Sequence, residues 1–571
     1  MEMQSVEPSY PKWSAQVAVR TLLHFNVKDV VISPGTRDMP LILACDAEPR
    51  LNKHIVVDER CAAFTALGMA TASCRPVALV CTSGSALLNY APALAEAYYR
   101  HVPLIVLSAD RPERWIDQAD SQTIRQVGAL SAVVKKSVTL PDCRPDDDET
   151  LRLVALRAFD AISYAIREPQ GPVHLNLPFG LPLGHQYPQI PNQPIPSFQT
   201  AGKGICEHIS DFPFDSDWRE NKILIVCGQM LPDNSINDTI DRIANHKNIV
   251  VIAENISNLH TTKIHCNIDA MLREMTDKET YQPDIVIVCG GALVSAALKQ
   301  YLRSLTDIQL WYVGKYADMI KDTFDNLSCY IDALPQHFFS SLSSNLGDCN
   351  DSDTSNRCST YSALWNDLSL HATAVYSDYL DAASWSELQA TDFIIKRIPK
   401  TYDLHLSNGM SIRYALLSAR SDFNSINCNR GVSGIEGATS TAVGAAIASK
   451  NPTILISGDM SFSYDIAALA LKEIPTDFKA IVLSNRGGGI FRFISKTNNL
   501  PQREKYFCAE PKFPLRQLAE AYGLRYLEAD SMSALEESWQ EFLSHTDAPT
   551  ILNVIVDTEV STKVISDYFH Q

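Results

Sequence analysis

The chain has 571 residues, 46% hydrophobic and 20% charged, with a formal net charge of −17. This is an ordinary globular composition, and its acidic balance argues against nucleic acid as a main partner. No apolar run approaches the ~20 residues of a membrane span, and the 14 scattered cysteines contain no Cys-x-x-Cys pair, so a reduced, cytoplasmic protein is expected.

The amino terminus, Met-Glu-Met-Gln-Ser-Val-Glu-Pro, lacks the basic and apolar regions of a signal peptide. Residues 1–185 then alternate apolar strands with helical stretches. The strands begin at Asp29, His54, Pro76 and Pro103. That rhythm predicts a mostly parallel α/β sheet. The proline-rich run Tyr187–Pro196 reads as an extended linker. Residues 200–345 repeat the rhythm, with strands beginning at Lys222, Asn248, Asp284 and Gln309. His260, His265 and Cys266 lie close together here, but nothing completes a zinc set. The Ser/Asn/Asp-rich stretch 340–359 reads as a loop. Residues 360–571 open with a helical lead-in and form the third block.

The most informative motif lies in that block. An apolar strand ends at Gly458-Asp459-Met460-Ser461, and a second ends 26 residues after Asp459 at Asn485-Arg486-Gly487. A carboxylate and an amide at the carboxyl ends of two parallel strands occupy the edge where open α/β sheets bind ligands. Both are hard oxygen donors suited to Mg²⁺, and the glycines allow phosphate oxygens to approach backbone N–H groups.

This arrangement resembles the metal and diphosphate motif of thiamine-diphosphate (ThDP) enzymes. The resemblance implies three doubly wound parallel-sheet domains: pyrimidine-binding (1–185), central (200–345) and diphosphate-binding (360–571). It also implies an activating glutamate at a strand end in the first domain, hydrogen-bonded to N1′ of the aminopyrimidine. Glu59, after the apolar run from His54 and before an Ala-rich helix, matches that position. The alternative for Glu59 is a helix-start carboxylate favoured by the dipole.

Further runs narrow the resemblance. They are Ser33-Pro-Gly-Thr36-Arg37, Thr82-Ser-Gly-Ser85, Ala109-Asp-Arg111-Pro112 and Gln122-Thr-Ile-Arg-Gln126 in the first block. The third block adds Asn408-Gly409-Met410-Ser-Ile-Arg413 and Asn429-Arg430-Gly-Val-Ser-Gly-Ile435-Glu-Gly437. Together they resemble the 2-succinyl-5-enolpyruvyl-6-hydroxy-3-cyclohexene-1-carboxylate (SEPHCHC) synthase family of menaquinone biosynthesis. That family joins 2-oxoglutarate to isochorismate with loss of CO₂, using ThDP and Mg²⁺ (or Mn²⁺). By this resemblance, Arg413 and Arg430 hold the distal carboxylate of the succinyl group, and Thr36, Arg37, Arg111 and Gln122 hold isochorismate. Ile435 props the cofactor into its bent form, Gly409 and Met410 lie near it, and Ile490 and Phe491 wall the site. Gly458, Met460 and Ser461 flank the diphosphate, while Asp459, Asn485 and the Gly487 carbonyl ligate the metal. The resemblance also implies a homodimer or homotetramer with sites shared between subunits.

The chain departs from the family pattern in places. Ser484 stands where Asn is frequent, and Arg486 and Gly489 replace Asn or Gln. The central loop supplies no early basic residue, the first being Lys299. Two other readings remain open from sequence: a different ThDP enzyme, such as a 2-oxoacid decarboxylase or acetohydroxyacid synthase, and an idle homologue with a binding role.

Overall fold

The computed structural model describes residues 12–143, 147–181, 183, 220–314, 321–346, 360–494 and 496–570. Three sheets carry the strands. The first contains β1 (Asp29–Ser33), β2 (Asn52–Ile55), β3 (Val77–Cys81), β4 (Leu104–Asp110), β5 (Lys136–Thr139) and β6 (Val173–Pro178). The second contains β7 (Ile223–Cys227), β8 (Ile249–Ala253), β9 (Ile285–Cys289), β10 (Gln309–Val313) and β11 (Leu327–Ile331). The third contains β12 (Asp403–Leu406), β13 (Ser425–Cys428), β14 (Thr453–Gly458), β15 (Lys479–Ser484), β16 (Arg525–Ala529) and β17 (Thr550–Ile555).

Every pairing within these sheets is parallel. The orders are β2-β1-β3-β4-β6-β5, β11-β10-β9-β7-β8 and β13-β12-β14-β15-β17-β16. Counted from its first strand, the third sheet repeats the order of the first. Strands such as Val77–Cys81 and Ile223–Cys227 are buried throughout, which explains their unbroken apolar runs. Alternate residues serve opposite faces: Val30 and Ile32 join one core, while Val31 joins another with the helix Glu59–Ser73. These are the α/β sheets that the sequence predicts.

The chain divides into two compact units. One comprises Met1–Gly202, Gly431–Lys450 and Asp465–Pro475, and the other comprises Lys203–Arg430, Asn451–Tyr464 and Thr476–Gln571. The second and third sheets both fall in the second unit. There the Asn258 side chain accepts from the Ile426 N–H at 2.7 Å and donates to the Ile426 carbonyl at 3.0 Å. Gln229 Nε2 donates to the Cys428 carbonyl at 2.7 Å.

One expected loop is partly helical. The helix Pro335–Leu346 covers the first residues of 340–359, because Phe338, Phe339, Leu342 and Leu346 form a buried stripe at helical spacing. Residues 347–359 and the expected linker Tyr187–Pro196 lie outside the described residues.

Within the first unit, the helices Glu59–Ser73 and Ala438–Ser449 approach backbone to backbone. A Cβ on Gly68 would stand 2.0 Å from the Thr441 carbonyl oxygen, and one on Gly444 would stand 2.1 Å from that of Thr65. A Cβ on Gly437 would meet the Phe64 ring at 2.2 Å. These glycines therefore fix the separation between the helix that starts at Glu59 and the one that follows the Arg430–Gly437 motif. Gly68→Ala should destabilise the fold by roughly 1–3 kcal/mol, the usual cost of overpacking. A denaturant midpoint within error of wild type would contradict this packing.

Beneath the first sheet's carboxyl edge, His174 is fully buried between Ser108 Oγ (2.7 Å from Nε2) and Ser137 Oγ (3.0 Å from Nδ1). Burial pushes its imidazole down to about 4. The unfolded chain therefore binds a proton near the ordinary histidine value, ~6.5, that the folded chain refuses. The associated stability is present above that value and is lost as pH falls toward about 4. The stability advantage of wild type over His174→Asn should accordingly shrink between pH 7.5 and 5. A gap that is constant or widens across those urea titrations would refute it.

Candidate active site

In both six-stranded sheets the strand order reverses beside the first strand, opening a crevice at the carboxyl ends. In the first unit that crevice lies between the loops after β1 and β3. Gly35 makes the close approach possible, since a Cβ there would stand 2.4 Å from Thr82 Cβ. The Arg37 N–H donates to Thr82 Oγ1 at 3.3 Å.

Four of the expected substrate residues lie along this edge. Thr36 is exposed, while Arg37 is buried and donates from Nη1 to the Phe179 carbonyl at 3.0 Å. Burial, and then repulsion from Arg111, hold the Arg37 guanidinium below its ordinary value. Arg111 bridges to Asp120 at 2.9 Å. Gln122 adopts a φ of 52° and packs its backbone against Gly84. Gln126 ties these loops together. Its Oε1 accepts the Gly84 N–H at 2.8 Å, and its Nε2 donates to the Ala109 carbonyl at 3.1 Å and Asn176 Oδ1 at 2.8 Å.

Glu59 is half-buried at the start of its helix, which Asp58 caps by accepting the Cys61 N–H at 3.1 Å. Asp38 was missed by sequence reasoning, although it directly follows the Thr36-Arg37 motif. Burial pushes its carboxyl up to about 7, against the Gly35 N–H bond, and the Glu59 charge adds to the rise. Ile435 is 37% exposed on the loop that precedes the second helix. Glu96, also missed, anchors that loop: its two oxygens accept the N–H groups of Gly431 (2.8 Å) and Val432 (2.7 Å).

In the second unit the expected metal ligands come together. Asp459 begins a helix immediately after β14, and Asn485 immediately follows β15. Asp459 Oδ2 accepts the N–H groups of Asn485 (3.2 Å) and Gly487 (3.1 Å), and its Oδ1 accepts that of Met460 (2.6 Å). Burial raises this carboxyl above its ordinary value, and those N–H groups pull it back. Gly487 has a φ of 104°, and a Cβ there would stand 2.3 Å from the Cys508 carbonyl. Its own carbonyl accepts the Gly489 N–H at 2.7 Å and retains a second lone pair. Ser461 is buried within the first turn of that helix. The departure Ser484 donates to Asn553 Oδ1 at 2.6 Å.

Two observations show that a metal and a diphosphate fit here. Among the described residues, Asn485 Oδ1 is buried with no hydrogen-bond partner, a state that normally requires a ligand. Open space also stands over the Cα atoms of Gly458 and Gly409, where a Cβ would meet nothing within 4 Å. Gly458 donates its N–H to Ser407 Oγ at 3.3 Å across the β12/β14 crevice.

Arg413 and Arg430 share this unit. Arg413 donates to the Gly409 carbonyl, and Arg430 Nη1 donates to Asn408 Oδ1 at 2.8 Å. Burial, then repulsion from Arg430, lower Arg413. Lys299 is lowered by burial and by the charge of Arg430, so the central block brings a third cation into the field of this arginine pair. Its Nζ donates to the Leu293 carbonyl at 3.0 Å. Ile490 packs on the cluster containing Met410 and Tyr414, while the Phe491 and Phe507 rings lie 5.7 Å apart.

Comparison with known proteins adds lineage to this geometry. Residues 12–129 match the thiamine pyrophosphate enzyme N-terminal TPP binding domain, and residues 408–554 match the C-terminal TPP binding domain. A SEPHCHC synthase from Porphyromonas gingivalis is 34% identical, covering 95% of this chain and 94% of the relative. The chain belongs to the SEPHCHC synthase family. Other members from Flavobacterium psychrophilum and Cytophaga hutchinsonii are each 36% identical. The first covers 98% of this chain and 99% of the relative, and the second covers 96% of each.

Two buried carboxyls of the second unit had no motif to announce them in a family member's sequence. Glu254 accepts the N–H groups of Val294 and Ser295, and burial pushes it up to about 7. Glu387 meets Asn485 across 98 residues of chain. Burial raises it to about 7, against bonds from Asn485 and Tyr414. His260 and Cys266 turn toward Ser421 instead, the first at its carbonyl and the second at its hydroxyl.

Proposed function

We propose that this chain decarboxylates 2-oxoglutarate and adds the resulting succinyl unit to isochorismate, giving SEPHCHC and CO₂ in menaquinone biosynthesis, with ThDP and Mg²⁺ (or Mn²⁺). The observation that carries the reading is the Asp459–Asn485–Gly487 cluster, with its buried, unpartnered amide oxygen. Near full-length similarity to SEPHCHC synthases supports the substrate pair. Bound ThDP supplies a carbon nucleophile that can expel CO₂ and form the new carbon–carbon bond.

The residues divide the remaining work. Asp459, Asn485 Oδ1 and the Gly487 carbonyl hold the metal, and few protein ligands plus phosphate oxygens suit Mg²⁺. The backbone at Gly458, Met460 and Ser461 receives the diphosphate, because N–H groups at a helix start favour anions. Gly409 and Met410 would line the cofactor, and the exposed Ile435 would pack against it. Glu59 keeps a proton shared with N1′ of the aminopyrimidine.

Arg413 and Arg430 clamp the distal carboxylate of 2-oxoglutarate. Two guanidinium groups that repel one another gain most from a bidentate anion, and Lys299 adds to that field. Thr36, Arg37, Arg111 and Gln122 take isochorismate, and Ile490 and Phe491 supply apolar walls that exclude water. The family resemblance supports a cytoplasmic homodimer or homotetramer. Exposed Val57 (74%) and Ile55 (55%), just before Glu59, suit burial by another subunit.

Isochorismate consumption followed in ultraviolet light, with mass detection of the adduct, tests the reaction. Adduct should form with 2-oxoglutarate and not with pyruvate. CO₂ release without adduct would discard the acceptor, and turnover with pyruvate would discard the donor. Glu59→Gln should lower kcat by at least ~10²-fold while ThDP stays bound, the scale of a lost acid–base group. Near-normal turnover would remove Glu59 from the mechanism. Arg413→Ala should raise the apparent KM for 2-oxoglutarate by at least ~10-fold, as loss of a charged hydrogen bond does. An unchanged KM would relocate the carboxylate site.

A further inference from the structure

We infer that Glu387 is a positioning residue that orients the Asn485 amide, so that Oδ1 faces the metal; this rests on the metal-site reading above. Glu387 opens the helix Glu387–Arg397 and is 3% exposed. Its Oε1 accepts from Asn485 Nδ2 at 3.0 Å, and its Oε2 accepts from the Tyr414 hydroxyl at 3.2 Å. Its own N–H donates to Ser561 Oγ at 2.8 Å.

The two ends of an asparagine amide have nearly the same shape, so neighbours decide which end faces which way. Here every other polar group of Asn485 is already committed. Its N–H donates to Asp459 Oδ2 at 3.2 Å. Its carbonyl accepts from Arg492 Nη1 at 3.1 Å and Thr558 Oγ1 at 2.6 Å. Only the side-chain amide is left to be set, and Glu387 sets it. Tyr414 holds Oε2, which leaves Oε1 directed at Asn485 Nδ2. With Nδ2 turned to Oε1, Oδ1 is buried and has no hydrogen-bond partner among the described residues. A reversed amide would set oxygen against oxygen at Glu387 and present N–H groups to a cation. Partners behind a metal ligand that fix its orientation commonly govern metal affinity.

The test is Mn²⁺ affinity of the full chain with ThDP, read by the electron paramagnetic resonance signal of free Mn²⁺. Glu387→Gln can still offer Oε1 to Nδ2 and should bind within about threefold of wild type. Glu387→Leu, with no acceptor, and Glu387→Asp, with its carboxylate withdrawn by one methylene, should each bind at least ~10-fold more weakly, the range for lost outer partners. Melting temperature without metal reports whether each variant folds, and Glu387→Asp decides the matter if Glu387→Leu does not. Asp459→Ala serves as the control. Wild-type Mn²⁺ affinity in Asp459→Ala would overturn the metal site itself. Loss in Asp459→Ala with wild-type affinity in Glu387→Asp would overturn the role of Glu387 alone. A Glu387→Gln variant as weak as Glu387→Leu would also overturn it, because charge rather than orientation would then be responsible.

Discussion

When every strand of a sheet runs the same way, all carboxyl ends meet one edge, and the backbone groups beyond them need partners from the following loops. Asp459 meets that need in the second unit. It gathers N–H groups from the turn after its own strand and from the turn after the neighbouring one. The same bonds bring Asn485 and the Gly487 carbonyl beside it. The first unit solves the problem with Gln126, whose amide links the loops after β3 and β4. Parallel pairing thus turns a backbone liability into a ligand-binding edge twice in one chain.

Buried charge is the second organising element. Asp38, Glu254 and Glu387 are each raised to about 7 by burial, with backbone N–H groups or side chains opposing the rise. Burying such groups costs stability unless hydrogen bonds offset it. For Glu254 and Glu387 the bonds cross between separate segments, so the carboxyl fixes geometry that apolar packing would leave loose, whereas Asp38 accepts within its own loop, from the Gly35 N–H. The arginines show the opposite sign. Arg37 faces Arg111, and Arg413 faces Arg430, each pair within a protein of net charge −17. Local cationic fields of this kind attract anions despite the global sign.

Much of this was legible beforehand because it is local. Apolar runs of strand length, the Gly458-Asp459 and Asn485 turns, and the motif arginines all sit within a few residues of the signals that reveal them. The parallel sheets follow from strand–helix alternation. Residues 340–346, the carboxyl-terminal part of the helix Pro335–Leu346, read as loop because serines and an asparagine dominate them, yet the buried Phe338, Phe339, Leu342 and Leu346 hold the helix. Asp38 lay one residue beyond a recognised motif. Glu387 had no local signal at all.

By itself the sequence determined the strand and helix rhythm, the family and the residue types presented at each strand end, since periodicity and short motifs encode these directly. Only the tertiary structure decided how the pieces support one another. It joined the second and third sheets in one unit through Asn258 and Gln229. It set Gly68 against Thr441 and Gly444 against Thr65. It also placed Glu387 behind Asn485. Those contacts join residues far apart in the chain, and their energies depend on distance in space, which no local pattern records.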